Sequence, residues 1–138
     1  MSEKSKIVAI SGYFDPIHVG HLEYIKLARS LGNFLVVIVN NDLQCKLKKG
    51  AAFMKEDDRL EIVKSIKQVD EVVLSIDTDR TVCKTLELIK PDVFANGGDR
   101  SNKEIPESKI CKKYNIKLLD GLGKKIRSSS DLTGLKEK

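Results

Sequence analysis

Both histidines of the chain lie in one ten-residue segment, GYFDPIHVGH, at positions 12–21. A β-branched run precedes this segment and a helical apolar pattern follows it, which predicts a strand-to-helix junction. The first turn of a helix has unpaired backbone N–H groups and the positive end of the helix dipole, and both attract phosphate. His18 and His21 are three residues apart, so they share one helix face, and each imidazole can donate to a phosphate oxygen.

Gly12 and Gly20 fit the same chemistry, because glycine lets the backbone approach a ligand closely. The segment therefore predicts a phosphate-binding site. Two other interpretations stay open. The histidines could be ordinary surface or core residues, or they could form half of a metal site, although no third ligand is adjacent and the HExxH pattern is absent.

Hydrophobic patterning predicts alternating strands and helices around this segment. Strands are predicted at residues 7–10, 35–39, 71–76, 92–95 and 116–119. The first helix is predicted from an apolar stripe at Val19, Leu22, Ile25, Ala28 and Leu31. Further helices are predicted over 56–67, 80–89 with Asp79 as its cap, and 105–114, with a basic loop at 46–50.

This order of elements predicts a single domain, residues 1–138, of the α/β class. We expect a Rossmann-like, five-stranded parallel sheet with helices on both faces and right-handed crossovers. Ligands of such sheets bind beyond the carboxyl ends of the strands, where the strand order reverses. The segment at 12–21 lies at such an end.

The composition is that of an ordinary globular protein, with 41% hydrophobic and 33% charged residues among 138. The longest apolar run, at 34–39, is too short to span a membrane, and the N-terminus lacks the apolar core of a signal peptide. We therefore expect a cytoplasmic protein without a membrane partner. Cys45, Cys83 and Cys111 are odd in number and lack CxxC spacing, which favours reduced thiols.

The net charge of +5 raises the possibility of nucleic-acid binding. Against it, the lysines are scattered and the chain has no aromatic and basic motif of an RNA-binding module. An enzyme that acts on triphosphates needs the same sign of charge, so we expect no nucleic-acid partner.

The segment resembles the GxFDxxHxGH signature of the cytidylyltransferase-like nucleotidyltransferases. This family includes glycerol-3-phosphate and phosphocholine-type cytidylyltransferases, heptose-phosphate adenylyltransferases and archaeal FAD synthetase. The resemblance implies transfer of a nucleoside monophosphate from ATP or CTP to a small phosphorylated acceptor, with Mg²⁺ on the triphosphate and a homodimeric enzyme. It also implies nucleotide contacts in the segment, from Gly12, Tyr13, Phe14, Asp15 and Gly20.

Three later segments are similar to other elements of the family. Lys46 and Lys49 resemble a K-x-x-K-G arrangement that binds triphosphate or acceptor phosphate, and Arg59 matches a family arginine. The turn at 96–99 resembles a GGD turn that faces the base and ribose, and its form is closer to the heptose adenylyltransferases. Its residues are Asn96, Gly97, Gly98 and Asp99. Composition alone would make the lysine segment and this turn plain surface loops.

The third segment resembles the serine- and threonine-rich element that holds the triphosphate in the family. It contains Arg127, Ser128, Ser129 and Ser130. The family arginine lies earlier, where this chain has Gly123 and Lys124, so its role could pass to Lys124, Lys125 or Arg127. By composition alone this stretch too is a surface loop, and by position Ser128 could cap a final helix.

The chain lacks a GxSxG elbow, a Walker A sequence and a Cys–His nucleophile pair, which favours direct in-line attack on the α-phosphorus. We expect His18 and His21 to hold phosphate oxygens, Lys46 to draw the anionic substrates together, and Arg127 with the serines to hold pyrophosphate. A nucleotide-binding module without catalysis and a nucleic-acid-binding protein remain as alternatives. The form of the 96–99 turn favours adenylyl transfer to a heptose-phosphate-like acceptor, with cytidylyl transfer to glycerol 3-phosphate or a phosphocholine-like compound as the alternative. The identity of the acceptor stays open.

Overall fold

The computed structural model describes residues 6–97 and 106–122. Five strands form one sheet in which every pair of neighbours is parallel, as the sequence predicts. The strands are β1 (Ile7–Gly12), β2 (Phe34–Val39), β3 (Glu71–Leu74), β4 (Val93–Gly97) and β5 (Lys117–Leu122). Their order is β3-β2-β1-β4-β5, so β2 and β3 lie on one side of β1 and β4 and β5 lie on the other. The strand order therefore reverses between β1 and β4.

Helices pack on both faces of the sheet, which confirms the predicted architecture. They are α1 (Val19–Arg29), α2 (Asp42–Lys49), α3 (Glu56–Lys64), α4 (Cys83–Ile89) and α5 (Glu107–Lys113). Because side chains alternate along a strand, Val8 and Ile10 pack with α1 and α3 on one face, whereas Ala9 packs with α4 and α5 on the other. None of the helices in the described parts of the chain has the length and apolar run needed to cross a bilayer.

The first difference from the sequence prediction is α2, which occupies the segment predicted as a basic loop. Asn41 begins it with a capping box, accepting from the backbone N–H of Gln44 while the Gln44 side chain accepts from the N–H of Asn41. Gly50 ends the helix in the left-handed conformation, with φ of 89°. The helix was missed because its lysines obscure the apolar pattern, although both of its end signals are present in the sequence.

The second difference is at α4, which begins at Cys83 and not at residue 80. The Asp79 carboxylate accepts from the backbone N–H and the hydroxyl of Thr81, so it closes a turn before the helix and does not cap it.

The apolar stripe of α1 is also only half buried. Ile25 and Ala28 are in the core, but Val19 and Leu22 at the start of the helix are 57% and 37% exposed, and Leu31 lies beyond its end.

Smaller differences lie at element ends. α3 ends at Lys64, three residues before the predicted end, and Ile62 is exposed. β3 ends at Leu74, while β4 and β5 extend further than predicted, to Gly97 and Leu122. Because the strands are parallel, the carboxyl ends of β1, β2, β3 and β4 lie along one edge of the sheet, where the site is assembled.

Candidate active site

Both histidine side chains cap the start of helix α1 by accepting backbone N–H groups. His18 is the N-cap residue, and its Nδ1 accepts from the backbone N–H of Gly20 at 3.1 Å. His21 is three residues later, and its Nδ1 accepts from the backbone N–H of His18 at 3.1 Å. A nitrogen that accepts an N–H bond carries no proton, so each neutral ring carries its proton on Nε2. The helix cap therefore makes both histidines Nε2–H donors.

The environment keeps His21 uncharged. Its ring stacks on that of His18 with centroids 4.0 Å apart, and the Phe14 ring meets it edge-on at 4.9 Å. Burial, then the nearby His18 and Lys48, lower the pKa of His21 to about 4. At neutral pH His21 is thus a neutral hydrogen-bond donor, able to stabilise charge that develops on a phosphate oxygen.

Gly12 is required by the ring beneath the histidines. A Cβ at this position would lie 2.9 Å from two carbons of the Phe14 ring, closer than carbon atoms can approach. Phe14 is fully buried and itself has a left-handed backbone, with φ of 51°. The glycine thus makes room for the aromatic ring that supports His21.

Asp15 anchors the segment to the chain that follows α2. Its buried carboxylate accepts from the backbone N–H of Phe53 at 2.8 Å and of Met54 at 2.6 Å, and pairs with Lys49 Nζ at 2.9 Å. The same Nζ donates to the Asp15 carbonyl at 2.7 Å. Burial opposes ionisation of Asp15, but the hydrogen bonds from Lys49, Phe53 and Met54 outweigh it and hold its pKa below the usual value. Both side chains therefore position the site in this structure.

Arg59 is a second anchor, and it lies beneath the site with 1% of its surface exposed. All three guanidinium nitrogens are bonded to the protein. Nε donates to Met54 O at 2.9 Å, Nη1 to Tyr13 O at 2.9 Å and Asn40 O at 2.6 Å, and Nη2 to Asp42 Oδ1 at 2.7 Å. The resemblance predicts that Arg59 binds substrate. In this structure its guanidinium donates to backbone carbonyl groups around the site and to the Asp42 carboxylate.

Among the lysines of α2, Lys48 contacts the histidine segment, whereas the sequence predicts that Lys46 draws the anionic substrates together. Its Nζ lies 4.3 Å from the centroid of the Tyr13 ring, and its charge lowers the pKa of His21. Residues 48 and 49 are three and four positions after the buried Cys45 and share its side of the helix, while Lys46 is rotated by roughly 100° from it; all three lysines are exposed. That i to i+3 spacing from Cys45 is the signal that could have identified Lys48.

The end of β4 borders the same site. Asn96 and Gly97 are its last two residues, and β4 pairs directly with β1. The Tyr24 hydroxyl donates to Ala95 O at 2.9 Å and ties α1 to this strand end. Other predicted site residues lie outside the described parts of the chain, namely Gly98, Asp99, Lys124, Arg127, Ser128, Ser129 and Ser130.

No ready-made metal site lies among the described residues. Within residues 6–97 and 106–122, no three His, Cys, Asp or Glu side chains are grouped as ligands. The carboxylate inside the segment, Asp15, already accepts three hydrogen bonds. In this structure the Asp15 carboxylate is therefore engaged by the protein.

Comparisons with known proteins agree with this geometry. The family described as "Cytidylyltransferase-like" matches residues 9–119. FAD synthase of Methanothermus fervidus is 43% identical over 109 residues, which cover 77% of this chain and 74% of that protein. The bifunctional protein HldE of Campylobacter concisus is 40% identical over 119 residues, and the match covers 85% of this chain but only 24% of that protein.

A solved structure described as a lipopolysaccharide core biosynthesis protein, from Thermoplasma volcanium, has a TM-score of 0.71 and 27% identity, covering 85% of this chain and 96% of that one. The chain thus spans about a quarter of the HldE relative but most of the other two proteins. By its matched family and its five-stranded parallel sheet, the chain belongs to the cytidylyltransferase-like family of nucleotidyltransferases.

Proposed function

We propose that this protein transfers a nucleoside monophosphate from ATP or CTP to a small phosphorylated acceptor and releases pyrophosphate. The observation that carries the proposal is that Nδ1 of both His18 and His21 accepts a backbone N–H bond at the start of α1, which puts the ring proton of each neutral histidine on Nε2. A donor pair at a helix N-terminus is suited to the oxygens of a triphosphate. If the two histidines had only a structural role, they would be an unusual choice of capping residue.

In the proposed reaction an oxygen of the acceptor phosphate attacks the α-phosphorus in line. The new P–O bond forms as the bond from the α-phosphorus to the bridging oxygen breaks, and pyrophosphate leaves. A phosphate nucleophile is already ionised, so no strong general base is needed. The protein contributes position and charge stabilisation, with His18 and His21 donating to the oxygens on which negative charge grows.

The other site residues would position the two anionic substrates. Lys48 would lie between them, since it contacts Tyr13 and acts on His21. The nucleotide would occupy the crevice between β1 and β4, where the strand order reverses. Arg127 and Ser128 to Ser130 would hold the pyrophosphate, and Mg²⁺ bound with the nucleotide would neutralise part of its charge. The working enzyme would be a cytoplasmic homodimer.

We propose adenylyl transfer to a heptose-phosphate-like acceptor as the specific reaction. The turn at 96–99 resembles that of heptose adenylyltransferases. The likeness to a structure described as a lipopolysaccharide core biosynthesis protein also supports a sugar phosphate. FMN is the second candidate acceptor, because the relative named FAD synthase is 43% identical and is covered over most of its length. Cytidylyl transfer to glycerol 3-phosphate or a phosphocholine-like compound is the alternative.

A pyrophosphate-release assay tests these proposals. ATP and CTP are each combined with heptose 1-phosphate, FMN, glycerol 3-phosphate and phosphocholine. We expect release with ATP and the heptose phosphate. Release with CTP alone would reverse the choice of nucleotide. Binding of ATP or CTP without release from any pair would favour a non-catalytic nucleotide-binding module, and salt-sensitive binding of unrelated oligonucleotides would favour the nucleic-acid alternative.

A further inference from the structure

Helix α2 is held in place mainly by polar contacts. Only two of its side chains are buried, those of Gln44 and Cys45. In the described parts of the chain, no residue of α2 belongs to either of the hydrophobic clusters that hold the other helices against the sheet. A helix with so small an apolar anchor depends on hydrogen bonds for its position, because burial of an apolar face is what usually fixes a helix.

Gln44 uses all of its hydrogen-bonding capacity inside the protein. Its side chain is fully buried. Nε2 donates to Asp79 O at 2.7 Å and to Thr81 O at 2.8 Å. Oε1 accepts from the backbone N–H of Asn41 at 3.0 Å and from Nδ2 of Asn40 at 3.1 Å. An amide has two donor hydrogens and two acceptor sites, so an apolar side chain at position 44 would leave several buried polar groups without a partner.

Through these four bonds Gln44 joins α2 to segments that follow three different strands. Asn40 follows β2, and its backbone N–H donates at 2.9 Å to the carbonyl of Gly12, the last residue of β1. Asp79 and Thr81 belong to the segment between β3 and α4. The start of α2 is therefore tied to the carboxyl ends of β1 and β2 and to the segment after β3.

Asn41 extends the contact with the segment after β3. Its Nδ2 donates to Ser75 O at 2.9 Å and to Asp77 O at 3.0 Å. The side-chain amides of residues 41 and 44 thus hold the four alternate carbonyl groups of residues 75, 77, 79 and 81. This segment and the first turn of α2 are fixed to each other as one unit.

Lys48 lies one helical turn after Gln44 on the same side of α2, about 6 Å further along the axis. Its Nζ is 4.3 Å from the centroid of the Tyr13 ring. At the end of the helix Lys49 pairs with Asp15 at 2.9 Å, so α2 is tied at both ends and Gln44 supplies the buried tie. The direction that α2 takes at Gln44 therefore decides where the Lys48 ammonium group lies.

We propose that Gln44 is a positioning residue for nucleotidyl transfer, whose contacts with residues 40, 79 and 81 fix α2 so that Lys48 lies beside Tyr13. Gln44 itself touches no substrate. This inference rests on the proposed function, in which Lys48 lies between the two anionic substrates. It gives a role to a buried glutamine that lies outside the family-like motifs of the sequence.

The kinetic test compares Gln44→Met with Lys48→Gln and with the double variant. Methionine keeps the length of the side chain and is uncharged, but it makes none of the four hydrogen bonds. We expect Gln44→Met to lower kcat/KM for pyrophosphate release about tenfold, because a small displacement of a positioned group is costly. The double variant should be no slower than Lys48→Gln, since both changes act through the same ammonium group.

A matched control separates position from stability, because Gln44→Met also leaves buried groups unpaired. The Asp70 carboxylate likewise ties separate segments, accepting from the Leu35 N–H at 2.8 Å and pairing with Arg29 Nε at 3.0 Å, but it lies at the amino edge of the sheet. Asp70→Ala and Gln44→Met should both lower the midpoint of urea unfolding, whereas Asp70→Ala should leave kcat/KM unchanged.

Gln44→Glu is a second variant, for use if Gln44→Met does not fold. It keeps an oxygen that accepts from residues 40 and 41, and so keeps the helix cap, but it removes the NH₂ group that donates to residues 79 and 81. It should give the same fall in kcat/KM.

The pKa of His21, followed by NMR, provides a readout that needs no turnover. Lys48 helps to lower this pKa, so Lys48→Gln should raise it. Gln44→Met should raise the pKa by a comparable amount, and the double variant should raise it no further. Asp70→Ala should leave it unchanged.

Three results would overturn the proposal. These are a kcat/KM of Gln44→Met within twofold of the unmodified chain, a His21 pKa that is unchanged in Gln44→Met or in Lys48→Gln, and a double variant about a hundredfold slower than the unmodified chain. Failure of the proposed function has a different signature. In that case the unmodified chain releases no pyrophosphate with any substrate pair, while the His21 pKa still rises alike in Gln44→Met and Lys48→Gln.

Discussion

The imidazole of His18 accepts a backbone hydrogen bond through Nδ1, and His21 does the same three residues later with the N–H of His18 as its donor. Each histidine thus uses one ring nitrogen, Nδ1, in the helix cap, and the proposed chemistry uses the other, Nε2–H. The two roles can be separated by substitution, because an asparagine or glutamine oxygen can replace Nδ1 as a cap but cannot replace the imidazole Nε2–H.

The first prediction compares two substitutions of His18. His18→Asn should keep the cap and lower kcat by roughly 10², the scale of one preorganised donor, with little change in unfolding free energy. His18→Ala should lose the same activity and also about 1 kcal/mol of stability, because the Gly20 N–H loses its acceptor. Pyrophosphate release and urea unfolding measure the two effects. Near-normal turnover in His18→Asn would show that the donor plays no part in the reaction.

The second prediction concerns stability in acid. The pKa of His21 is about 4 in the folded chain against 6.5 ordinarily, so between these values the unfolded chain binds a proton that the folded chain does not. The unfolding free energy should therefore fall as the pH is lowered from about 6.5 to about 4, by about 3 kcal/mol in total. Urea unfolding at several pH values measures this fall. His21→Gln, which keeps the cap acceptor, should show a smaller one, and an equal fall would assign the proton to another group.

The third prediction concerns Asp15, whose pKa is lowered in the folded chain. The ionised Asp15 carboxylate contributes to the unfolding free energy above the ordinary carboxyl pKa, about 3.9. This contribution is lost as the pH falls through the lower pKa of Asp15 in the folded chain. Asp15→Asn at pH 7 should cost about 2 kcal/mol, because the amide cannot accept all the bonds from Phe53, Met54 and Lys49. The difference between the variant and the unmodified chain should shrink in strong acid, where Asp15 is protonated. A difference that stays constant with pH would rule out the charge as its cause.

The fourth prediction separates the lysines of α2. Lys48→Gln should lower kcat/KM about tenfold or more, since a charge beside Tyr13 and His21 is lost. Lys46→Gln removes an equal charge from a position rotated by roughly 100° around the same helix from Cys45. It should change kcat/KM less than about twofold, because that charge points to another side of the helix and is screened. Steady-state kinetics with the active substrate pair decide between them. The reverse order of effects would favour Lys46, as the sequence predicts.

Much of the fold was predictable because its signals are local. The buried runs of β1 and β2, the strand-to-helix change at 12–21 and the spacing of His18 and His21 are all contained in short windows of sequence. Helix α2 was missed because a short helix rich in lysine lacks an apolar period. Its capping residues, Asn41 and Gly50, carried the local information instead.

The sequence alone was enough to predict the parallel sheet, the family and the pairing of the two histidines. Each of these depends on residue types at fixed separations along the backbone. Only the tertiary structure decided which cations face the site. Arg59 matches a family arginine in sequence, but its guanidinium donates to the backbone carbonyl groups of Tyr13 and Asn40. Lys48, in contrast, reaches the Tyr13 ring across 35 positions of chain. Such choices depend on packing between distant segments, and no local spacing encodes them.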